Sequence, residues 1–269
     1  MADGMVVRPR IENADIPALR SAYERMQQFS ATDNRGWMYW AGIHGFPRFS
    51  CWHHGRLVRT QFPYNLFLPW HRAYLLYFES VARDSDDQAI TPWWDWSSPE
   101  SHQNGIPDSY AEPQVAGDRN PLASAPTSVP GVPNGLTRRF PGPPDRLPRP
   151  DEVERVLRLR SFVDFTSQVE DLHDRIHGWV GGVDPNNPTD GGDMGSIARS
   201  AFDPIFWAHH CMIDRLWYLW QLRHGEDNIP AEYLSRPLGP FSLTVRDVLH
   251  VNNLGYDYVA AQAVVPMGG

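Results

Sequence analysis

Hydrophobic residues recur at helical spacing in several stretches of the chain, and the first stretch lies near the N-terminus. Asp15 is a residue type that caps helices, and Pro17 suits a first helical turn. The apolar residues that follow are spaced by three or four positions: Leu19, Tyr23, Met26 and Phe29. This pattern predicts a helix that begins at Asp15 and buries one face.

The same spacing predicts most of the remaining regular structure. His71, Leu75 and Phe78 share one face of a helix that begins at about Trp70. Further helices are predicted for residues 151–160, 162–179 and 204–223, and Gly181-Gly182 would end the second of these. The chain is therefore predicted to be mainly α, with little β structure.

Two stretches contain too many helix-breaking residues for regular structure. Residues 37–65 are interrupted by Gly and Pro, which predicts a segment that is largely loop. Residues 97–150 are rich in Pro, Gly, Ser and Asn, and they are interpreted as a long ordered surface loop. The loop is not a linker, because the histidines on its two sides would need one shared core. Residues 1–269 are accordingly expected to form a single domain.

Composition excludes several classes of protein. The 269 residues carry a formal charge of −8 and have no cluster of Lys and Arg, so nucleic acid is not an expected partner. No apolar run approaches the roughly 18 residues that would span a bilayer, and no membrane association is expected. No signal peptide is visible, which makes the cytoplasm the default compartment and leaves export with a partner open. Two cysteines are too few for a disulfide scaffold.

Eight of the eleven histidines fall into two sets separated by about a hundred residues. Their positions are 44, 53, 54 and 71, then 173, 177, 209 and 210. His173 and His177 are four residues apart on a predicted helix, so both rings can reach one ion. His210 has the same spacing to Asp214, which would orient neighbouring ligands or pair with Arg215. The alternative is that these are ordinary helix-surface histidines.

Six imidazoles without a thiolate or carboxylate ligand favour copper, and two copper ions about 4 Å apart could react with dioxygen. Zinc is the competing metal. His173-Asp174-x-x-His177 is similar to a zinc metalloprotease motif with Asp in place of Glu, but a zinc hydrolase would leave the first histidine set unexplained.

Several motifs resemble the tyrosinase family of type-3 copper proteins. Pro-Trp-His-Arg at 69–72 is similar to part of its first copper half-site, and Asp-Pro-Ile-Phe-Trp-Ala-His-His at 203–210 is similar to part of its second. The other similar segments are 41–45, 51–53, 92–96, 172–182, 214–217 and 256–258. The resemblance implies a four-helix bundle that holds two copper ions, with long irregular loops outside. It indicates a short bacterial-like or fungal-like form without a C-terminal covering domain, active without proteolysis once copper is bound.

The resemblance also implies the ligands. The first copper would take His44, His53 and His71, and the second would take His173, His177 and His210. His54 competes with His53, which has the Cys-x-His spacing of family members that join the two side chains by a thioether. Cys51 would supply the sulfur, although a buried unreactive thiol is the simpler alternative. His209 would then be a packing residue or lie just behind the ligands.

The implied activity is oxidation of monophenols and o-diphenols to o-quinones with O2. Glu170 and Asp174 are the candidate residues for holding the water that takes the phenol proton, unless they form surface ion pairs with Arg160 or Arg175. Ile197 occupies the position of a side chain that gates the second copper in the family. The alternatives are a catechol or o-aminophenol oxidase without monophenol hydroxylation, a hemocyanin-like oxygen carrier, or a zinc hydrolase.

Overall fold

About 52% of the residues that the computed structural model describes are helical, and these residues contain little sheet. The structure describes residues 5–52, 65–129, 135–226, 229 and 231–258. The helices in these ranges are α1 (Ile16–Gln28), α2 (Trp37–His44), α3 (Phe67–Ser85), α4 (Pro99–Asn104), α5 (Asp108–Ala111), α6 (Pro150–Leu157), α7 (Phe162–Gly181), α8 (Ile205–His224) and α9 (Ala231–Leu234). The prediction of a mainly α protein is confirmed.

The helices begin and end where local chemistry requires. The Asp15 side chain accepts a hydrogen bond from the backbone of Ala18, and Ser161 caps α7 in the same way through Asp164. α7 ends at Gly182, which has φ 52°. A Cβ atom at Gly182 would lie 1.7 Å from the carbonyl oxygen of Phe140, so only glycine fits there.

Helix α2 corrects the prediction that the chain from Trp37 onward is largely loop. Trp37 and Trp40 are buried, and their burial offsets the weak helix propensity of Gly42. A Cβ atom at Gly42 would lie 3.0 Å from Cδ of Pro47, so the glycine allows the next turn to pack against the helix. The helix ends at His44, before the Pro47 that cannot continue it.

Four helices, α2, α3, α7 and α8, surround the histidines. Phe78 of α3 stacks on Trp207 of α8 with ring centroids 3.4 Å apart. Phe165 of α7 stacks on Trp220 of α8 at 5.0 Å. These large buried rings hold the helices at fixed separations, as a four-helix bundle requires.

The long segment after Ser97 is ordered but less irregular than predicted. It contains α4, α5 and two short hairpins, formed by β2 (Gln114–Val115) with β3 (Asp118–Arg119) and β4 (Pro126–Thr127) with β5 (Gly135–Leu136). Tyr110 and Leu122 are fully buried, so the segment closes one side of the core. The glycines and prolines of this segment limit the length of its helices and strands, but they do not prevent these elements from forming.

The first and last strands of the described chain pair with each other. β1 (Val6–Arg8) lies parallel to β6 (Tyr256–Tyr258), with Arg8 opposite Tyr258. Arg8 is completely buried. Among the described residues, no helix has the length and apolar character needed to cross a membrane.

Candidate metal centre

The second histidine set meets at one point between two helices. Nε2 of His210, on α8, lies 3.3 Å from Nε2 of His173 and 3.4 Å from Nε2 of His177, both on α7. The four-residue spacing predicted for the pair on α7 places both rings on the face that packs against α8. Three imidazole nitrogens therefore converge from two helices, as a metal site requires.

The first set reaches the same region from two other helices. His44, at the end of α2, and His71, in the first turns of α3, form a potential ligand group with His210 in which the nitrogens lie within 4.8 Å of one another. The rings of His71 and His210 are stacked with centroids 4.3 Å apart. His53 and His54 lie outside the described residues, so the choice between them stays a prediction.

Hydrogen bonds at Nδ1 turn the Nε2 atoms toward the centre. The Nδ1–H of His71 donates to the carbonyl oxygen of Phe67 at 2.9 Å, and that of His177 donates to Met194 at 2.8 Å. Nδ1 of His173 lies 3.0 Å from a carboxylate oxygen of Asp174. A proton fixed at Nδ1 leaves the lone pair of Nε2 available to a metal ion.

Burial keeps the rings neutral. It lowers the pKa of His71 to about 3. The pKa of His210 is also well below its ordinary value because of burial and the neighbouring imidazoles. Burial also lowers the pKa of His44 well below its ordinary value, and the neighbouring His71 and His177 lower it further. A hydrogen bond with the backbone of Ile197 opposes this shift. Neutral nitrogen donors in a buried site fit a divalent or monovalent copper ion.

His209, predicted to be a packing residue or to lie just behind the ligands, is next to the second histidine set. It is fully buried and belongs to a second group of nitrogens within 4.8 Å, together with the three histidines of the second set. Its ring stacks on His173 at a centroid distance of 5.2 Å. The direct Nε2 contacts of both α7 histidines are nevertheless with His210.

The two candidate acidic residues are in different environments. Glu170 is 0% exposed, and its Oε2 accepts a hydrogen bond from Nδ2 of Asn65 at 3.5 Å. Asp174 has a half-exposed side chain that contacts His173. Arg175 pairs with Glu152 at 2.7 Å. The alternative of ion pairs with Arg160 or Arg175 stays a prediction.

Sequence reasoning missed Asn65. Its Oδ1 accepts the backbone N–H of Phe67 at 3.0 Å, which directs the amide group of the same side chain toward Glu170. Its carbonyl oxygen accepts a hydrogen bond from Tyr233. An Asn two residues before a helix is a capping signal, and this signal could have identified the residue.

Two further predicted site residues lie near the first set. Ile197 is 52% exposed and its backbone contacts His44, which places it beside the centre. Cys51 is partly buried, and burial raises the pKa of its thiol to about 12. Because His53 lies outside the described residues, the thioether stays a prediction.

Behind the histidines lies a buried ionic cluster formed by Asp214 with Arg8, Arg72, Tyr256 and Tyr258. Asp214 pairs with both arginines and accepts hydrogen bonds from both tyrosines, at 2.7 and 2.6 Å. The expected pairing of Asp214 with Arg215 is not formed, since the Arg215 guanidinium lies 3.9 Å above the ring of Trp93. Asp214 therefore supports the packing of α8 and does not contact a ligand histidine in the contacts described.

Comparison with known proteins places this arrangement in a family. The family model "Common central domain of tyrosinase" matches residues 21–143 and 117–223. The chain is 31% identical to the G-type hemocyanin of Enteroctopus dofleini over an alignment of 261 residues that covers 87% of this chain and 8% of that protein. It is 32% identical to the tyrosinase of Streptomyces glaucescens over 191 residues, covering 61% of this chain and 66% of the relative. The chain thus spans less than two thirds of both relatives.

Solved structures show the same fold. The tyrosinase of Burkholderia thailandensis superposes with a TM-score of 0.77 at 22% identity, covering 95% of this chain and 73% of the other. A functional unit of octopus hemocyanin gives a TM-score of 0.74 at 25% identity, covering 94% and 68%.

Proposed function

The chain belongs to the tyrosinase family of type-3 copper proteins, and from this premise we propose that it is a dinuclear copper phenol oxidase that uses O2 to convert monophenols and o-diphenols to o-quinones. The observation that carries the proposal is the convergence of His44, His71, His173, His177 and His210 from four helices. The chain's partners would be O2 and a small phenol.

The donor set fits two copper ions. His44, His53 and His71 would hold one, and His173, His177 and His210 the other. Neither of the two potential ligand groups among the described residues contains a cysteine or a carboxylate, which favours copper over zinc. When bound, the copper pair would bind dioxygen and accept the two electrons that a phenol gives up.

Glu170 is the residue we assign to proton removal. A phenol with a pKa near 10 must lose its proton before it can bind as phenolate, and a carboxylate that reaches it through one water can act as the base. Glu170 lies on the face of α7 that carries His173, one turn away, and it is completely buried. The Asn65 amide fixes the direction of its carboxylate.

Asp174 is assigned to orient His173 and to hold the water through which Glu170 would take the phenol proton. Its contact with Nδ1 of His173 would hold that imidazole in the ligand tautomer, and its exposed side would hold the water between it and Glu170. Ile197 would limit which rings reach the second copper, because its backbone contacts His44 and its side chain is half-exposed.

An oxygen carrier is the second candidate. The similarity to octopus hemocyanin, at 31% identity and with a TM-score of 0.74 for its functional unit, favours it. A carrier would bind O2 reversibly at the same histidines without turning over phenols. The two proposals differ in the reaction and share the metal site.

Oxygen uptake distinguishes them. Copper-loaded protein is given a monophenol, an o-diphenol and an o-aminophenol with the same ring substituent, and its copper and zinc contents are measured on the same sample. Two coppers per chain and O2 consumption with the monophenol and the o-diphenol support the proposal. Uptake only with the o-diphenol or o-aminophenol would reduce it to a catechol or aminophenol oxidase, binding of O2 without consumption would favour a carrier, and one zinc per chain would refute both.

A further inference from the structure

A series of neighbouring aromatic side chains that can be oxidised leads from the histidines to the protein surface. Trp70 packs edge-on against His71 with centroids 4.9 Å apart, and the ring of Tyr74 lies 5.0 Å from Trp70. Trp40 follows at 6.5 Å from Tyr74, and Tyr77 stacks on Trp40 at 6.3 Å. We call Trp70, Tyr74, Trp40 and Tyr77 the aromatic relay.

The relay ends at a partly exposed ring, whereas a second series of aromatic rings near the centre ends at a buried one. Trp70 and Tyr74 are fully buried, Trp40 is nearly so, and Tyr77 is partly exposed. A second series of rings leads through Trp207 and Trp37 to Tyr23, which is completely buried. Of these two series in the described part of the chain, only the relay reaches solvent.

Indole and phenol side chains are the aromatic groups of proteins that lose one electron most readily. We propose that the aromatic relay carries oxidising equivalents from the metal centre to the surface at Tyr77 when no phenol is bound. This would protect the ligand histidines from oxidation. The proposal rests on the copper centre assigned above, and it holds for a phenol oxidase and for an oxygen carrier alike.

The hydrogen bonds of the buried rings offer no proton acceptor, so an oxidised buried ring does not become a stable neutral radical. The indole N–H of Trp70 donates to the carbonyl oxygen of Gly239 at 2.8 Å, and that of Trp40 donates to Asn34 at 2.7 Å. The hydroxyl of Tyr74 donates to the carbonyl oxygen of Trp40. A backbone carbonyl does not accept a proton, so none of these rings can deprotonate when its electron leaves.

Tyr77 meets the condition that the buried rings lack, because water can take its proton. The neighbouring surface ring, Tyr39, lies 5.7 Å from Trp40 but has the guanidinium of Arg48 4.2 Å above it. A cation over the ring opposes the loss of an electron. Tyr77 is therefore the end of the relay.

The electrons and protons of the reaction balance with hydrogen peroxide as the oxidant and ascorbate as the reductant. One hydrogen peroxide takes two electrons and two protons to become two water molecules. Each electron leaves Trp70 for the centre and is replaced from Trp40, with Tyr74 between them as a bridge that is not itself oxidised. Trp40 is then reduced by Tyr77, whose phenolic proton passes to water. Ascorbate in solution then returns a hydrogen atom to the neutral Tyr77 radical.

The test uses copper-loaded protein and hydrogen peroxide without phenol. Radicals are trapped with a nitroso spin trap and located by peptide mass spectrometry, and oxidised histidine is quantified in the same digests. Wild type is expected to give the adduct at Tyr77, less of it with ascorbate, and little oxidised histidine. Tyr77→Phe should lose the adduct and accumulate oxidised histidine severalfold faster, with its copper content unchanged.

Three comparisons make the result decisive. Tyr218→Phe removes a partly buried tyrosine whose described ring contact is with Tyr258, and it should behave as wild type. Trp40→Phe keeps Tyr77 in place but should abolish its adduct. Equal adducts at Tyr218 and Tyr77, an adduct at Tyr77 in zinc-loaded protein or in Trp40→Phe, or equal histidine oxidation in wild type and Tyr77→Phe would overturn the relay. Catechol oxidation by the same samples reports separately on the proposed function.

Discussion

Nε of Arg72 lies 2.5 Å from Oδ1 of Asp214, and this ion pair joins α3, which carries His71, to α8, which carries His210. Arg72 directly follows His71 on α3, and Asp214 stands one turn after His210 on α8. The pair is buried beneath the ring of Trp217, 3.6 Å from the Arg72 guanidinium. The separation of His71 and His210, two of the proposed metal ligands, is thus fixed by charges that are not themselves proposed to bind metal.

Asp214→Asn should destabilise the protein strongly. Arg8 and Arg72 would keep their buried charges without the carboxylate, and breaking a buried pair in this way costs about 3–5 kcal/mol. Denaturant unfolding measures the loss. Asp151→Asn, which removes an exposed pair with Arg149, should cost at most about 1 kcal/mol. Equal stability of the two variants would show that the cluster contributes little.

Stability should also fall in acid because of Asp214. Burial alone would raise the pKa of this carboxyl, but Arg72, Arg8 and the hydrogen bond from Tyr258 outweigh it and lower the pKa. A lowered folded-state pKa means that the contribution is present above the unfolded value of about 3.9 and is lost as the pH falls below it. Unfolding free energy measured from pH 6 downward should decline less steeply in Asp214→Asn than in wild type.

Replacing His71, His173, His177 or His210 by Ala should remove copper and abolish phenol oxidation, because each supplies an inward nitrogen. Copper per chain, measured by atomic absorption, checks this. His250→Ala is the control, since His250 lies on the surface and pairs with Glu226. His209→Ala should retain more copper than His210→Ala, and the reverse order would overturn the assignment within this neighbouring pair.

Glu170→Gln should reduce monophenol turnover far more than o-diphenol turnover. A positioned general base contributes roughly 10²- to 10⁴-fold to rate, and the monophenol has the greater need of one. Initial rates of O2 uptake with matched substrates measure the ratio. Glu152→Gln makes the same chemical change at a residue that pairs with Arg175, and it should leave the ratio unchanged. Equal losses on both substrates in Glu170→Gln would argue against the role.

Ile197→Phe should lower kcat/KM for phenols while copper content stays constant. Ile197 contacts His44 through its backbone and has a half-exposed side chain, so a larger ring at this position should narrow the approach to the centre. Leu222→Phe places the same ring on an exposed position of α8 and should have no effect. Unchanged kinetics in Ile197→Phe would exclude Ile197 as a gate.

Sequence periodicity predicts the elements whose apolar face is regular, and it fails where tertiary packing decides. α3, α7 and α8 follow from their spacing, as does the end of α7 at Gly182. The spacing does not predict α2, because Gly42 is a residue type that breaks helices. The glycine is needed there for Pro47 to pack against the helix, and only the folded structure shows this contact.

The same distinction applies to the site. The pairing of His173 with His177 follows from one helix, so spacing reveals it. The approach of His44 and His71 to His210 depends on how three helices pack, and spacing carries no such information. Arg8 gives no signal at all, since its partner Asp214 lies 206 residues away.

The parallel pairing of β1 with β6 sets a time order for biosynthesis. Val6 meets Tyr256, and Arg8 meets Tyr258, so the first strand has no partner until about 250 residues have been translated. A nascent chain on the ribosome could pack α1 against α3 early, but Asp214 would gain the hydrogen bond from Tyr258 only after that residue had left the exit tunnel. The ionic cluster that links the proposed ligand helices is therefore completed only once Tyr258 is free to fold, and copper delivered earlier would encounter an unfinished site.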